Sequence, residues 1–358
     1  MNVRQLMNEA ARLTRAGDLR GATAAIQTAL GMRSAERAPH GGAGADVIDV
    51  EAFEVPQVAP GSFDEPAPES HRAEPRRKDC FVAGDYVNRA GRRDYKLFIP
   101  ADAGSRPLPL VVLLHGCTQD PDDFAAGTAM NDLARAHGFL VLYPAQSQRL
   151  NPKRCWNWFK PNHQQRGRGE PALLAGMTRD VMERHAIDSE RVFVAGLSAG
   201  GAMAAILGEA YPELYCAVGV HSGLAAGVAA DLPSALAAMK DGGAPLRVAP
   251  SGVPTIVFHG DADPTVHPSN GDRVIAASAG ATTAADIERI EATRGRACTR
   301  SVYRTPDGKV VAEHWLIHGG AHAWSGGSAA GSYTDRHGPD ASGEMVRFFM
   351  QHPRRPRH

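Results

Sequence analysis

No run of apolar residues in the 358-residue chain approaches the ~20 needed to span a bilayer, so a membrane-spanning helix is not expected. Neither sign of charge is in excess. Lys plus Arg and Asp plus Glu number 39 each, so no global field recruits nucleic acid or an anionic membrane. Basic runs such as Arg76-Arg77-Lys78 and the tail at 353–358 read as solvated ends. Cysteine is scarce. The five present, Cys80, Cys117, Cys155, Cys216 and Cys298, are too scattered for a disulfide scaffold, and none sits in the Cys-x-x-Cys pair of a structural zinc site. No metal and no cofactor is expected. The Gly-rich "QQRGRGEP" (164–171) has neither a lysine in Walker spacing nor a preceding strand, so it is expected to shape a rim rather than cradle a phosphate. The first 34 residues lack the continuous apolar centre of a secretory signal and read as two amphipathic helices broken at Gly17-Asp18, which favours a cytoplasmic start.

What is present falls into four stretches: a helical extension at 1–33, a flexible linker at 34–78, a catalytic domain at 79–352 and the short basic tail. The linker is rich in Pro, Gly, Ala, Asp and Glu, with no sustained period. From Phe81 the pattern is of strands, first a hairpin turning at Gly91-Arg92-Arg93, then a fully buried strand at 109–114. Helix 121–137, strand 138–144, helix 172–186, strand 191–195, helix 199–210, strand 216–223, strand 253–263, helix 269–279, strand 310–317 and helix 340–351 follow. Alternating strands and helices predict an α/β fold, a mostly parallel doubly wound sheet with helices on both faces.

"VFVAGLSAGGAMA" (192–204) places Ser198 between Gly196 and Gly200 at a strand-to-helix corner, the Gly-x-Ser-x-Gly spacing of a nucleophile elbow. A serine hydroxyl is a weak nucleophile at neutral pH and needs a base, an orienter for that base, and donors for the developing oxyanion. "FHGDADPTVHP" offers Asp261 and Asp263; "IHGGAHAWSGG" offers His318 and His322. Asp263 is preferred because it lies two or three residues beyond the strand end, where a loop carries it toward an imidazole. His322 is preferred because it follows Gly319-Gly320-Ala321 on a free loop. His221, His259 and His267 read as structural. The oxyanion donors are expected at the amides of Ala199 and of Cys117, with Thr118 as the second choice, in "LLHGCTQD" (113–120), where Gln119 buttresses the loop. Most of the cysteines read as buried thiols; Cys117 and Cys155 flank motifs of this same site, and a bridge between them is the alternative to free thiols that the sequence leaves open. Trp156 in "CWNWFKP" and Trp324, two residues beyond the base, are expected to line an acyl pocket.

Taken in order, "LLHGCTQDPDDFA", "CWNWF", "GRGEPALLAGMTRDV", "VAGLSAGGAMA", "HGDADPTV" and "GGAHAWSGG" resemble the catalytic domain of the poly(3-hydroxybutyrate) depolymerase family, itself similar to the feruloyl and acetylxylan esterases. The resemblance covers roughly residues 80 to 352 and implies an α/β-hydrolase fold. It also implies hydrolysis of carboxylic esters by a Ser198–His322–Asp263 triad with Cys117 and Ala199 as oxyanion hole, and no metal or cofactor. The expected substrates are short hydroxyalkanoate esters, as soluble oligomer, amorphous polymer or small ester; feruloyl or acetylxylan esters are the alternative. Many relatives are exported, which opposes the cytoplasmic reading of the N-terminus. A peptidase is disfavoured because no acidic pair or propeller domain is present to hold a peptide amine. A non-catalytic module docking a granule or protein, or associating with itself through residues 1–33, is the remaining rival.

Overall fold

The computed structural model describes residues 78–354, apart from 105, 244–250, 281–284 and 292–294. The expected helical extension, with the granule binding or self-association assigned to it, nearly all of the linker, and tail residues 355–358 lie outside the described residues. Of the tail, Arg354 donates its amide to Glu190 O at 2.8 Å.

Ten strands form one sheet in the order β1-β2-β4-β3-β5-β6-β7-β10-β9-β8. Its middle is built from β3 (Leu108–Leu114), β4 (Leu140–Pro144), β5 (Ile187–Leu197), β6 (Ala217–His221), β7 (Thr255–Gly260) and β10 (Val310–Ile317). These six are mutually parallel. Their apolar runs follow from burial on both faces: every residue of β3, β4, β6 and β7 is buried. A period of two survives within them. On β5, Val192 and Val194 join the core beneath helix α4 (Ala199–Ala210), whereas Phe193 and Ala195 join the core beneath α7 (Ala341–Gln351), where Phe193 stacks on Phe349 at 4.9 Å. Each buried Val or Phe among these contributes about 1.5–3 kcal/mol through removal from water.

The edges are antiparallel. β1 (Cys80–Asn88) and β2 (Gly91–Ile99) form the expected hairpin, but its loop is Arg89-Ala90, with Asn88 paired to Gly91. Asn88 Oδ1 accepts from Ala90 N at 2.8 Å and Gly91 has φ 136°, so the glycine closes the turn instead of opening it. At the other edge β8 (Ala285–Ile290) and β9 (Cys298–Arg304) were not expected. Nor was the helix Leu232–Asp241 (α5) in the Ala-rich insertion, which opens with a capping box between Asp231 and Ser234. The expected helix 121–137 is two helices, α1 (Pro121–Thr128) and α2 (Met130–His137), because Ala129 adopts the left-handed region at φ 52°. Helices α3 (Gly169–Arg184) and α6 (Ser269–Ala279) complete the two faces.

Chain direction across the sheet reverses at β3: β4 lies on one side of it and β5 on the other. The loops leaving β3 and β5 therefore diverge and open a crevice at the carboxyl edge, the place where doubly wound sheets hold ligands. Among the described residues no helix is long and apolar enough to cross a membrane.

Candidate active site

Ser198 is the residue between β5 and α4 and is half-buried, with φ 56° and ψ −119°. The tightness of this corner explains its glycines. A Cβ on Gly200 would lie 2.1 Å from Leu114 O, and one on Gly196 would lie 2.4 Å from Gly200 C. The strained serine is held by its own amide, which donates to His221 O at 2.8 Å, and its side chain caps nothing. Strain of this kind marks one region. Six non-glycine residues among those described have positive φ, and five of them, Thr118, Arg154, Ser198, Ser222 and Tyr333, lie in the segments that follow β3, β4, β5, β6 and β10 at the carboxyl edge. Such conformations cost about 1–3 kcal/mol each and persist where surrounding contacts over-determine them.

Both aspartates and both histidines offered by the sequence are engaged in Asp–His contacts, and the two contacts differ. His322 Nδ1 lies 2.7 Å from Asp263 Oδ2. Asp263 is in turn fixed by the amides of Thr265 and Val266, which donate to its Oδ1 at 2.8 and 2.9 Å. Burial would raise the Asp263 carboxyl, but the hydrogen bond and charge of His322 and these two amides outweigh it and hold the group below the usual carboxylate range. His318 Nδ1 meets Asp261 Oδ2 at 2.9 Å while its Nε2 meets Thr299 Oγ1 at 2.9 Å, so both ring nitrogens are spent on the fold. His322 has no second hydrogen bond among the described residues and keeps Nε2 open.

The other histidines serve the frame. His221 accepts from Ser325 N at 3.0 Å, and burial pushes its pKa down to about 3, with the charges of His259 and His322 acting in the same direction. His259 Nε2 donates to Val266 O at 2.9 Å, and burial lowers it to about 4. His267 is exposed and meets Ser269 Oγ. Between them, His221 and His259 are neutral girders that fix the loops bearing Ser198, Asp263 and the residues after His322.

In the loop after β3 most amides are taken. Gly116 N donates to Gln119 Oε1 at 2.9 Å, Thr118 N to Lys153 O at 2.6 Å and Gln119 N to Gly116 O at 3.4 Å. Thr118 is thereby removed as a donor, and among the described residues Cys117 N has no acceptor, nor do the first amides of α4, Ala199 N among them. Gln119 buttresses the loop through Nε2, which donates to Asp123 Oδ2 and Ser332 O at 3.0 and 3.1 Å. The Cys117 and Cys155 sulfurs are joined in a disulfide.

The esterase PHB depolymerase family model matches residues 93–297, more than half of the chain. The chain belongs to this family. The matched stretch holds Ser198 and Asp263, and His322 lies beyond it. Among similar proteins of this esterase family, poly(3-hydroxyalkanoate) depolymerase C of Paucimonas lemoignei is 34% identical over 190 residues, 49% of this chain and 44% of the relative. Feruloyl esterase B of Thermothelomyces thermophilus is 33% identical over 140 residues, 39% of this chain and 47% of the relative. The chain thus spans under half the length of these relatives. Acetyl xylan esterase from Aspergillus awamori superposes with a TM-score of 0.57 over 75% of this chain and 99% of its own, at 19% identity, and the fold is that of the α/β hydrolases.

One expectation for this family member is corrected. Trp156 and Trp324 are 0% and 1% exposed and line no cleft. Trp156 Nε1 donates to His115 O at 3.1 Å, and Trp324 Nε1 donates to Ser342 Oγ at 2.9 Å with its ring stacked on His221 at 5.2 Å. Both indoles are instead packed into the core, each with a buried polar partner that satisfies its N–H. Two groups were missed. Glu170, inside the Gly-rich segment read as rim, is a 1% exposed carboxylate receiving Arg93 Nη2 at 3.1 Å, Asn157 N at 2.7 Å, Asn157 Nδ2 at 2.8 Å and the Gln146 amide. Tyr333 lies in a Gly- and Ser-rich stretch that carries no motif; only its isolation as an aromatic there could have drawn notice.

Proposed function

We propose that the chain is a serine carboxylic ester hydrolase that acts on short hydroxyalkanoate or related esters, with Ser198 as nucleophile, His322 as base and Asp263 as orienter. The observation that carries this reading is the contrast between the two Asp–His pairs: His322 meets Asp263 at 2.7 Å with Nε2 open, whereas His318 is spent on both sides. Asp263 holds Nδ1–H of His322, which sets the tautomer that leaves a lone pair on Nε2 to take the Ser198 proton. His322 takes the hydroxyl proton as Ser198 Oγ bonds to the ester carbonyl carbon. The carbonyl oxygen becomes an oxyanion facing the amides of Cys117 and Ala199, and the start of α4 adds its dipole. The tetrahedral adduct collapses as His322 returns the proton to the leaving alcohol. Water, deprotonated by the same imidazole, then releases the acid and restores Ser198.

A second reading, an esterase of feruloyl or acetyl groups on plant polymers, is favoured by the names of the feruloyl esterase B relative and of the superposed acetyl xylan esterase. Kinetics on p-nitrophenyl butyrate, 3-hydroxybutyrate oligomers and methyl ferulate separates the two, because kcat/KM is greatest for the class the cleft fits. Labelling by a fluorophosphonate, lost in Ser198→Ala, tests the chemistry itself; labelling that persists in that variant removes Ser198 as nucleophile.

A further inference from the structure

Among the described residues Tyr333 is the only aromatic in the set of exposed large apolar side chains, at 41% exposure, and it also holds φ 51°, a conformation costly for a side chain with a Cβ. Solvating a ring and straining its backbone both oppose folding, and neither is explained by packing. The segment that carries it is nonetheless tied down by hydrogen bonds. Ser332 N donates to Asp123 Oδ1 at 2.8 Å, Ser328 N to Gly127 O at 2.8 Å, and Trp324 N to Tyr333 O at 2.6 Å. That last bond ties Tyr333 to the strand beginning two residues after His322.

The hydroxyl reaches the other side of the site. Tyr333 OH lies 3.1 Å from Thr118 Oγ1, and Thr118 Oγ1 donates its single proton to Cys117 O at 2.5 Å. Tyr333 must then be the donor in its own contact, giving a chain from Tyr333 O–H through Thr118 O–H to the Cys117 carbonyl. The loop so anchored lies against the nucleophile, since a Cβ on Gly116 would stand 3.5 Å from Leu197 O, in the residue before Ser198. We propose that Tyr333 is the aromatic wall of the substrate cleft, its ring meeting the hydrocarbon portion of the ester while its hydroxyl positions the Cys117–Thr118 turn. Stated so, the inference deepens the esterase reading and depends on it. It assigns to one residue the wall that Trp156 and Trp324 do not form.

The ring and the hydroxyl are separable by experiment on the full chain. In Tyr333→Phe, kcat falls about threefold to tenfold on p-nitrophenyl acetate and hexanoate alike, with KM within about twofold of wild type, because one hydrogen bond is lost and the ring stays. In Tyr333→Ala the same fall in kcat is joined by a rise in KM of about tenfold for the hexanoate and under about twofold for the acetate. Tyr333→Leu, which retains an apolar body, gives an intermediate KM and serves where the alanine variant does not fold by thermal melting. An unchanged hexanoate KM in the alanine and leucine variants overturns the wall; an unchanged kcat in Tyr333→Phe overturns the positioning role. The esterase reading fails differently: Ser198→Ala that turns over normally removes the nucleophile, while the KM contrast at Tyr333 still decides the wall. A wild-type chain inert toward both esters removes both.

Discussion

Cys117 and Cys155 are covalently joined, so the turn that offers the Cys117 amide is tied to the loop after β4 by a bond as well as by the hydrogen bond from Thr118 N to Lys153 O. The bridge spans 38 residues, and in the chain-entropy model closing such a loop destabilises the unfolded chain by about 4 kcal/mol. Cys155→Ser, or reduction with dithiothreitol, should lower the melting temperature and reduce kcat more than it raises KM, because the amide proposed as oxyanion donor loosens while the remainder of the cleft stays. A reduced protein with unchanged kcat would show that the hydrogen bonds alone hold the turn.

Two histidines four residues apart provide an internal control. His322→Ala should lower kcat/KM by about a thousandfold or more, and combining it with Ser198→Ala should add little, since the two act as one unit. His318→Ala removes the contacts to Asp261 and Thr299 and should cost stability with under about tenfold in turnover. The same contrast holds for Asp263→Asn against Asp261→Asn. Steady-state rates on p-nitrophenyl butyrate for the four variants check it, and equal losses at His318 and His322 would contradict the assignment.

How much of this was legible in advance divides along physical lines. The elbow was readable because its glycines are dictated by backbone contact: a Cβ on Gly200 would strike both Leu114 O and His115 O. The parallel strands were readable because burial on both faces leaves unbroken apolar runs. Strands β8 and β9 escaped notice because they lie at an open edge, where β8 has four exposed residues in a row and no apolar run marks it. The break at Ala129 carries no glycine or proline signal. Trp156 and Trp324 show the limit of local reading. Neither an aromatic cluster nor proximity in the chain to the proposed base says which side of a loop an indole takes, and here each N–H finds a buried acceptor.

Acid should unfold the protein early. His115, His221 and His259 are buried, and burial holds their pKa values at about 4, 3 and 4. A histidine depressed in the folded state is protonated first in the unfolded chain, which then binds more protons, so stability is present at neutral pH and falls as pH drops below about 6.5. At pH 5 each loses on the order of 2 kcal/mol, against a typical total of about 5–15 kcal/mol. Asp263 and Glu170, held below the usual carboxylate range, act in the same direction at lower pH: their contribution is present above about 4.3 and is lost as pH falls toward their folded values. Urea midpoints should decline steadily from pH 7 to 4.5. A flat midpoint between pH 7 and 5 would mean that these imidazoles are not buried neutral.

Glu170 is a buried carboxylate outside the proposed triad whose removal should matter to the loop after β4. It is 1% exposed and pairs with Arg93, itself 4% exposed, while holding Asn157 by both backbone and side chain and receiving the Gln146 amide. Gln146 N in turn donates to His115 Nε2 at 3.1 Å, so this one carboxylate braces the segment carrying Lys153, Cys155 and Trp156. In Glu170→Gln the shape is kept, but a buried guanidinium loses its counter-charge and an amide N–H₂ meets donors instead of accepting from them. Breaking one side of a buried pair costs about 3–5 kcal/mol. In a domain of this size that is on the order of 10 °C in melting temperature. Glu213→Gln is the matched comparison: Glu213 pairs with Arg166 and Arg179 at the surface, with its side chain 46% exposed. Solvent screening there limits the effect to about 1 kcal/mol or less, a shift of a few degrees at most. Because Glu170 braces the loop that receives Thr118 N, its variant should also lose turnover at temperatures well below its melting point, whereas Glu213→Gln should not. Equal melting temperatures for the two variants would show that the buried carboxylate is dispensable to the loop.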